Sequence, residues 1–210
     1  MSREADLRAH VSACWAGKAD AAHDLGHLAR VWRNCQRLAH HHPEADLEVL
    51  EAAAWLHDLV NLPKSAPSRA EASRLSARAA ADYLAQTGFP AERIPAVEHA
   101  IEAHSFSATI PARTIEAQIL QDADRIEALG AIGLARCLAV SGALGRALFH
   151  AEDPLARHRP LDDLSFALDH FETKLLRLPD TMQTEAGRAL ARERALVLVH
   201  FRDQLLAELE

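Results

Sequence analysis

Four residues with metal-binding side chains stand out in this sequence: His27, the adjacent pair His57 and Asp58, and Asp124. Each lies in a stretch that otherwise has the pattern of an apolar helix, and imidazole or carboxylate groups are costly to bury unless they are paired or bind a metal. Two imidazoles and two carboxylates form a mixed nitrogen and oxygen ligand set, which suits a divalent metal of borderline hardness. Such a set leaves water sites open on a six-coordinate ion, as hydrolysis requires. The pattern therefore favours an enzyme over a scaffold protein.

The adjacency of His57 and Asp58 indicates that a helix ends close to them. Adjacent side chains diverge by roughly 100° on a helix, so one metal can reach both only where the helix ends. The segment Asn61-Leu62-Pro63 marks such a point. The same adjacency argues against a Ser-His-Asp hydrolase, in which the carboxylate orients the histidine from elsewhere in the fold.

The helix that carries Asp124 contains a second acidic residue, Asp122. An apolar stripe that includes Ile119 and Ile126 has Asp122 in its middle and Asp124 on nearly the opposite side. A buried aspartate within an apolar stripe is itself a functional candidate. Helix periodicity alone leaves both residues open as the metal ligand.

The order of these residues, His, then His-Asp, then Asp, resembles the signature of the HD-domain superfamily of metal-dependent phosphohydrolases. The flanking residues resemble a bacterial branch that includes a nucleotide pyrophosphohydrolase, and the similarity covers roughly residues 22–194. The motifs that carry it are Asp24-x-x-His27-x-x-Arg30-Val31, Leu56-His57-Asp58, His104-Ser105-Phe106-Ser107, Gln121-Asp122-Ala123-Asp124-Arg125, Gly130-Ala131-Ile132-Gly133 and Asp169-His170-Phe171-x-x-Lys174-Leu175.

The resemblance implies that His27, His57, Asp58 and Asp124 bind the metal. The family ligand sits in an Ala-Asp-Arg context, which Ala123-Asp124-Arg125 matches, so the resemblance favours Asp124 and leaves Asp122 as a residue that supports or pairs with the site. The expected cofactor is a divalent ion, Mn or Mg first, with Fe, Co, Ni or Zn as further candidates.

Phosphate chemistry also needs cations and groups that move protons. Lys64 follows the His57-Asp58 pair by a short loop and Arg125 follows Asp124 directly, so both are candidates to meet phosphate oxygens. The alternative for Lys64 and Arg125 is a solvent-exposed surface position with no role in binding phosphate. His104 ends a helix and is a candidate second-metal ligand, phosphate donor or general acid. The alternative is a purely structural role as a cap of the helix end. Asp58 could accept a proton from water as well as bind the metal.

Further polar residues have roles that the sequence leaves open. His23 and Asp24 share a helix face with His27 and could orient it or cap the helix. His99 carries less weight, and the roles of His170 and Lys174, four residues apart, stay open.

The resemblance implies an enzyme that converts a nucleoside triphosphate to a monophosphate and pyrophosphate with a metal-activated water. A nucleoside 5′-monophosphatase or another phosphomonoesterase is the alternative within the same class. The alternative from another class is a non-catalytic, metal-binding regulatory module, and the presence of all four ligand residues argues against it.

The composition limits the expected partners. The chain has 210 residues, 49% of them hydrophobic, and a formal net charge of −7, which argues against unspecific binding to duplex DNA or anionic membranes. No apolar run approaches the roughly 18 residues that span a bilayer, and the three cysteines form no CxxC pair. We expect a small phosphate ester or nucleotide as the partner, no nucleic acid, no membrane, a possible homodimer, and a cytoplasmic location.

The pattern predicts an all-α fold, and the resemblance implies an HD-domain helical bundle with a C-terminal helical extension. Alanine and leucine dominate the periodic segments, and strand signals are nearly absent. We expect a core over residues 1–145 that holds the metal site, and a C-terminal lobe over 146–210 that packs on it as one structural unit. The predicted helices are Arg3–Trp15, Asp24–His40, Ala45–Leu59, Ser68–Gln86, Pro95–His104, Thr114–Leu138, Ser165–Arg177 and Thr184–Glu208.

Overall fold

The computed structural model describes residues 2–16, 24–60, 71–105 and 108–209 of the chain. This described part contains helices and no strand, apart from one isolated parallel bridge between Ala147 and Phe166. The predicted all-α fold is thereby confirmed. The α-helices are α1 (Arg3–Cys14), α2 (Leu25–Ala39), α3 (Leu47–Leu56), α4 (Ala72–Gln86), α5 (Ile94–His104), α6 (Ile115–Ile126), α7 (Gly130–Ala143), α8 (Asp169–Thr173) and α9 (Glu185–Ala207), with short 3-10 helices at Ala91–Arg93 and Leu175–Thr181.

The chain forms two compact units, Met1–Asp124 and Arg125–Glu210. In the first unit α3 is the central helix, since it packs against α1, α2, α4 and α5. Every residue from Val49 to Leu56 except Glu51 is buried, as expected of a helix that is apolar all round. Asp46 caps its start, because its Oδ1 accepts from the amides of the next turn.

The second unit is built on α9, which packs against α7 and against the 3-10 helix Leu175–Thr181. An ion pair fixes the segment before α8: Arg159 donates to both carboxylate oxygens of the buried Asp169, at 2.6 and 2.8 Å. The amide of Asp162 donates to the same carboxylate at 2.7 Å. Bidentate pairing with an additional backbone donor is the arrangement that offsets the cost of burying a charged carboxylate.

The predicted helix Thr114–Leu138 is wrong as one continuous element, because the chain turns between α6 and α7. The amides of Ala128 and Leu129 bond three residues back, to Arg125 and Ile126, which tightens and ends α6. Gly130 then takes a φ of +70°, a conformation that favours glycine. The alanine and leucine content predicts a helix across this point, whereas the backbone leaves the helical path between Ile126 and Gly130.

Two other predicted helices are shorter than expected. The helix predicted from Ser165 begins only at Asp169, since the amides of Ala167 and Leu168 bond to the carbonyls of Ala147 and Leu148 instead of to a helical turn. The helix predicted to reach Leu59 ends at residue 56.

The remaining expectations about organisation are not decided by the structure. The predicted helix start at Ser68 lies outside the described residues, and the division at residue 145 stays a prediction. No single helix among the described residues is long and apolar enough to cross a membrane, while α6 and α7 satisfy length and composition only when taken together as a bent pair.

Candidate metal centre

His27 is held at the first turn of α2 by the residue that caps this helix. Asp24 Oδ1 accepts a hydrogen bond from the His27 amide at 2.6 Å, which fixes where the helix begins. The His27 side chain is buried on the inner face of α2, and the exposed polar residues of this helix lie on its opposite face. Orienting His27 and capping the helix were the two roles predicted for Asp24, and its hydrogen bond is that of a cap. His23, which was given the same two possible roles, lies outside the described residues.

His57 lies directly after the last residue of α3, and its ring is oriented by the backbone of that helix. Nδ1 lies 2.8 Å from the carbonyl oxygen of Ala54. Because a carbonyl only accepts, Nδ1 carries the ring proton and Nε2 keeps its lone pair. The side chain is fully buried, with Nε2 as its free end. This is the orientation that a metal-binding imidazole needs.

The two imidazoles and two carboxylates converge on one point. His27 Nε2 lies 3.4 Å from Asp124 Oδ1 and 3.8 Å from Asp58 Oδ2. His57 Nε2 lies 3.5 Å from Asp58 Oδ2 and 3.9 Å from Asp124 Oδ1. The donor atoms come from α2, from the end of α3 and from α6, so three helices contribute to one cluster.

These separations fit a single divalent cation. Two donor atoms that each lie about 2.1 Å from one ion are about 3 Å apart at right angles and about 4.2 Å apart on opposite sides, and all four separations fall between these limits. His57 Nε2 is also buried and accepts no hydrogen bond within the described part of the chain. Buried polar atoms normally have a partner. A cation at this point would supply one, so the donor set fits the group that the sequence predicts.

The protonation states of the cluster also suit a metal. Burial lowers the pKa of His57 from 6.5 to about 4, by more than the carboxylate of Asp58 raises it. For Asp124, burial favours the neutral acid, but the hydrogen bond with His27 and the imidazoles of His57 and His104 hold its pKa well below its usual range. At neutral pH the imidazole is therefore neutral and the carboxylate ionised, which are the forms that bind metals.

His104 brings a third imidazole to the same carboxylate from the end of α5. Its Nδ1 lies 2.6 Å from the carbonyl oxygen of Ile101, so Nε2 keeps the lone pair, as in His57. Nε2 lies 3.7 Å from Asp58 Oδ1. His57, Asp58 and His104 thus form a second group of possible ligands, which shares two residues with the main cluster. Asp58 Oδ2 faces His27 and His57, and Asp58 Oδ1 faces His104.

Asp122 and Asp124 have different surroundings. Asp122 is fully buried, as the apolar stripe predicts, and belongs to neither group of possible ligands. The Asp124 carboxylate is 30% exposed and lies beside His27 and His57. The assignment of Asp124 as the ligand stays a prediction, and the position of its oxygen is consistent with it.

The other candidate residues are not all placed at the cluster. Lys64 lies outside the described residues. Arg125 donates through Nη1 to the carbonyl oxygen of Thr181 at 2.5 Å, so one guanidinium nitrogen has a structural partner. His99 accepts a hydrogen bond from the amide of Arg113, which gives it a structural contact in the loop before α6.

The two C-terminal candidates also differ from each other. His170 pairs through Nδ1 with Asp163 Oδ2 at 2.8 Å, and Thr173 donates to the same oxygen. Lys174 is exposed at the end of α8. Their roles stay open.

Two buried amides, for which the sequence predicted no role, fix the helices around the cluster. Asn34 on α2 donates to the carbonyl oxygen of Ala123, the residue before Asp124, at 3.3 Å. Gln121 on α6 donates to the carbonyl oxygen of Ala103, the residue before His104, at 2.7 Å. Asn34 lies on the buried face of α2 between apolar neighbours, and this polar position in an apolar stripe was the available signal.

Comparison with known proteins agrees with this geometry. The HD domain family matches residues 24–129, which span the whole cluster. The chain is 34% identical over 190 residues to YpgQ of Bacillus subtilis, described as an uncharacterized protein, with 88% of this chain and 83% of that protein covered.

Solved structures give the same result. The crystal structure of Bacillus subtilis YpgQ in complex with ADP has a TM-score of 0.75 and 32% identity, covering 98% of this chain and 97% of that one. An HD-superfamily hydrolase from Bacillus thuringiensis also has a TM-score of 0.75, with 29% identity and coverage of 98% and 96%. The resemblance to the HD-domain superfamily is confirmed, and the chain belongs to this superfamily of metal-dependent phosphohydrolases.

Proposed function

We propose that this protein hydrolyses nucleoside triphosphates to nucleoside monophosphates and pyrophosphate, with a divalent cation held by His27, His57, Asp58 and Asp124. The observation that carries the proposal is the convergence of these four side chains, with separations of 3.4 to 3.9 Å between imidazole nitrogen and carboxylate oxygen. The ADP in the crystal structure of the relative YpgQ supports a nucleotide as the ligand class.

The chain's own residues supply binding and proton handling. A divalent cation at the cluster would lower the pKa of a coordinated water and offset charge on a phosphate oxygen. His104 Nε2 lies beside Asp58 Oδ1 and can accept a proton from water and later return it to the leaving group. Asp58 keeps its other oxygen toward His27 and His57, so it can hold the metal beside His104, whose ring is oriented through Nδ1 by the Ile101 carbonyl.

Two cations are proposed to hold the polyphosphate. Lys64 follows the His57-Asp58 pair in the sequence and offers a compact charge. Arg125 follows Asp124 directly in the sequence, and its guanidinium group has the planar fork that suits phosphate oxygens. Holding a polyphosphate tail favours triphosphates over monophosphates, because only the former present a tail to these cations.

The products of one reaction test this function. The purified protein is incubated with Mn and a panel of nucleoside triphosphates in 18O-water, and the products are identified by mass spectrometry. We expect a labelled monophosphate and intact unlabelled pyrophosphate, with no diphosphate formed first. Orthophosphate as the first product, or label on pyrophosphate, would contradict attack at the alpha phosphorus and favour a monophosphatase or triphosphatase.

Matched variants separate this activity from a contaminant. His57→Ala should abolish turnover, because it removes the fully buried imidazole of the cluster. His99→Ala is the control, since the His99 ring accepts a hydrogen bond from the Arg113 amide and belongs to neither group of possible ligands. Equal activity of the two variants would show that the cluster is not the active site.

A further inference from the structure

The second unit contains a cavity of about 390 Å³ that includes none of the metal-site residues. Ligand pockets for small molecules range from roughly 300 to 1,000 Å³, so the volume suits a compact ligand. Three arginines line it, from the loop before α8, the 3-10 helix after it and α9. The lining residues that bear on its chemistry are Arg157, Arg177, Arg202, Glu172, Leu155 and Leu161.

The arginines give this cavity a positive character in a chain whose net charge is −7. Arg202 is held in place by Glu172 at 2.7 Å and by its neighbour Asp203 at 3.0 Å. The Glu172 carboxylate is thereby neutralised. Arg157 and Arg177 line the cavity, and their side chains make no hydrogen bond or ion pair with any described residue.

The chemistry of this lining indicates its ligand. Guanidinium groups bind phosphate through paired hydrogen bonds, and several together recognise a multiply charged phosphate group. Leu155 and Leu161 add apolar surface beside the charged groups, which an aromatic ring can cover. We propose that this cavity is a second binding site, which takes a nucleotide by its phosphates without a metal.

This site goes beyond the proposed function, since it shares no residue with the metal cluster and needs no cation. Titration calorimetry with ADP in EDTA tests it while the metal site is unable to act. We expect the wild-type protein to bind ADP, and Arg157→Gln with Arg177→Gln to weaken binding at least about tenfold, because both substitutions remove a charged hydrogen-bond donor to phosphate. Absence of ADP binding to the wild-type protein in EDTA would overturn the proposal.

A matched pair of variants distinguishes this site from general charge and from the metal cluster. Arg78→Gln with Arg192→Gln removes the same charge from exposed positions outside the cavity and should change ADP affinity less than twofold. Equal weakening in both double variants would mean unspecific attraction. His57→Ala should retain ADP binding in EDTA, and its loss there would assign the ligand to the metal cluster.

A second probe tests the apolar part of the proposal. Inorganic pyrophosphate carries charge without a ring, so we expect it to bind more weakly than ADP. Equal affinity would contradict the role of Leu155 and Leu161. Single variants at Arg157 or Arg177 keep the test valid if the double variant does not fold.

Discussion

His57 and Asp58 follow directly after the last residue of α3, and this position determines what each can do. On a continuing helix their side chains would diverge by roughly 100°. Past the helix end, His57 Nε2 and Asp58 Oδ2 lie 3.5 Å apart and face the same point. The largely buried helix α3 thus ends beside two ligand-type residues that belong to the cluster.

The two aspartates of α6 should respond differently to substitution. We expect Asp124→Ala to lose bound metal and turnover, because its oxygen lies 3.4 Å from His27 Nε2 and 3.9 Å from His57 Nε2. Asp122→Ala removes a fully buried carboxylate that belongs to neither ligand group, so it should lower stability while bound metal is retained. Metal content of both purified variants, measured by plasma mass spectrometry, decides between them.

The opposite result has a clear meaning. If the Asp122 variant is the one without metal, Asp122 is the metal ligand. The apolar stripe of α6 then identifies the ligand correctly and the motif around Asp124 does not. Asp163→Asn, far along the chain and paired with His170, controls for loss of a carboxylate as such and should keep its metal.

The ligand-type residues could be predicted from the sequence because polar side chains in apolar helices are themselves conspicuous. The residues that fix their geometry could not. Asn34 bonds to a carbonyl 89 residues away and Gln121 to one 18 residues away, and such pairings depend on how helices pack. A buried amide in a helix is visible in the sequence only as a polar interruption, with nothing to identify its partner.

At the scale of the elements, the turn between α6 and α7 depends on Gly130 and Gly133, although the segment around them is rich in helix-forming residues. A Cβ atom at Gly133 would lie 2.2 Å from the backbone carbon and oxygen of Ala128, so the first turn of α7 packs directly against the preceding chain. Gly130 supplies the positive φ that turns the chain. The sequence showed two glycines three residues apart, but the alanine and leucine content around them predicts a continuous helix.

Two glycines of α7 therefore form a matched pair. Gly133→Ala should destabilise the protein by roughly 2–3 kcal/mol, because the overlapping atoms are backbone and cannot move aside as a flexible side chain would. Gly142→Ala meets nothing within 4 Å on the same helix and should leave stability unchanged or raise it by up to about 1 kcal/mol. Urea denaturation midpoints of the two variants provide the comparison, and equal midpoints would refute the close packing at residue 133.

At the scale of the whole molecule, the three cysteines report on different parts of the chain. Cys35 is fully buried in the first unit, and burial, with the charges of Asp124 and Asp122, raises the pKa of its thiol. It is therefore protonated and inaccessible in the native state, and thiol reagents react with the thiolate. Cys14 and Cys137 are partly exposed, one in each unit.

Reaction of Cys35 with a thiol reagent should consequently require opening of the first unit, and metal binding should slow it. If the cation binds only the folded cluster, Mn at about one hundred times its Kd should reduce the labelling rate of Cys35 about one hundredfold, since opening is then opposed by roughly 2.7 kcal/mol. Cys14 and Cys137 should react at unchanged rates, because they are partly exposed already. A variant with Cys14→Ser and Cys137→Ser isolates the Cys35 signal, and adding Asp124→Ala should remove the effect of Mn. A metal effect that persists in the Asp124 variant would mean that the cation acts elsewhere. A Cys35 labelling rate that does not depend on Mn would mean that the cluster binds no Mn, or that Cys35 becomes accessible while the cluster stays folded.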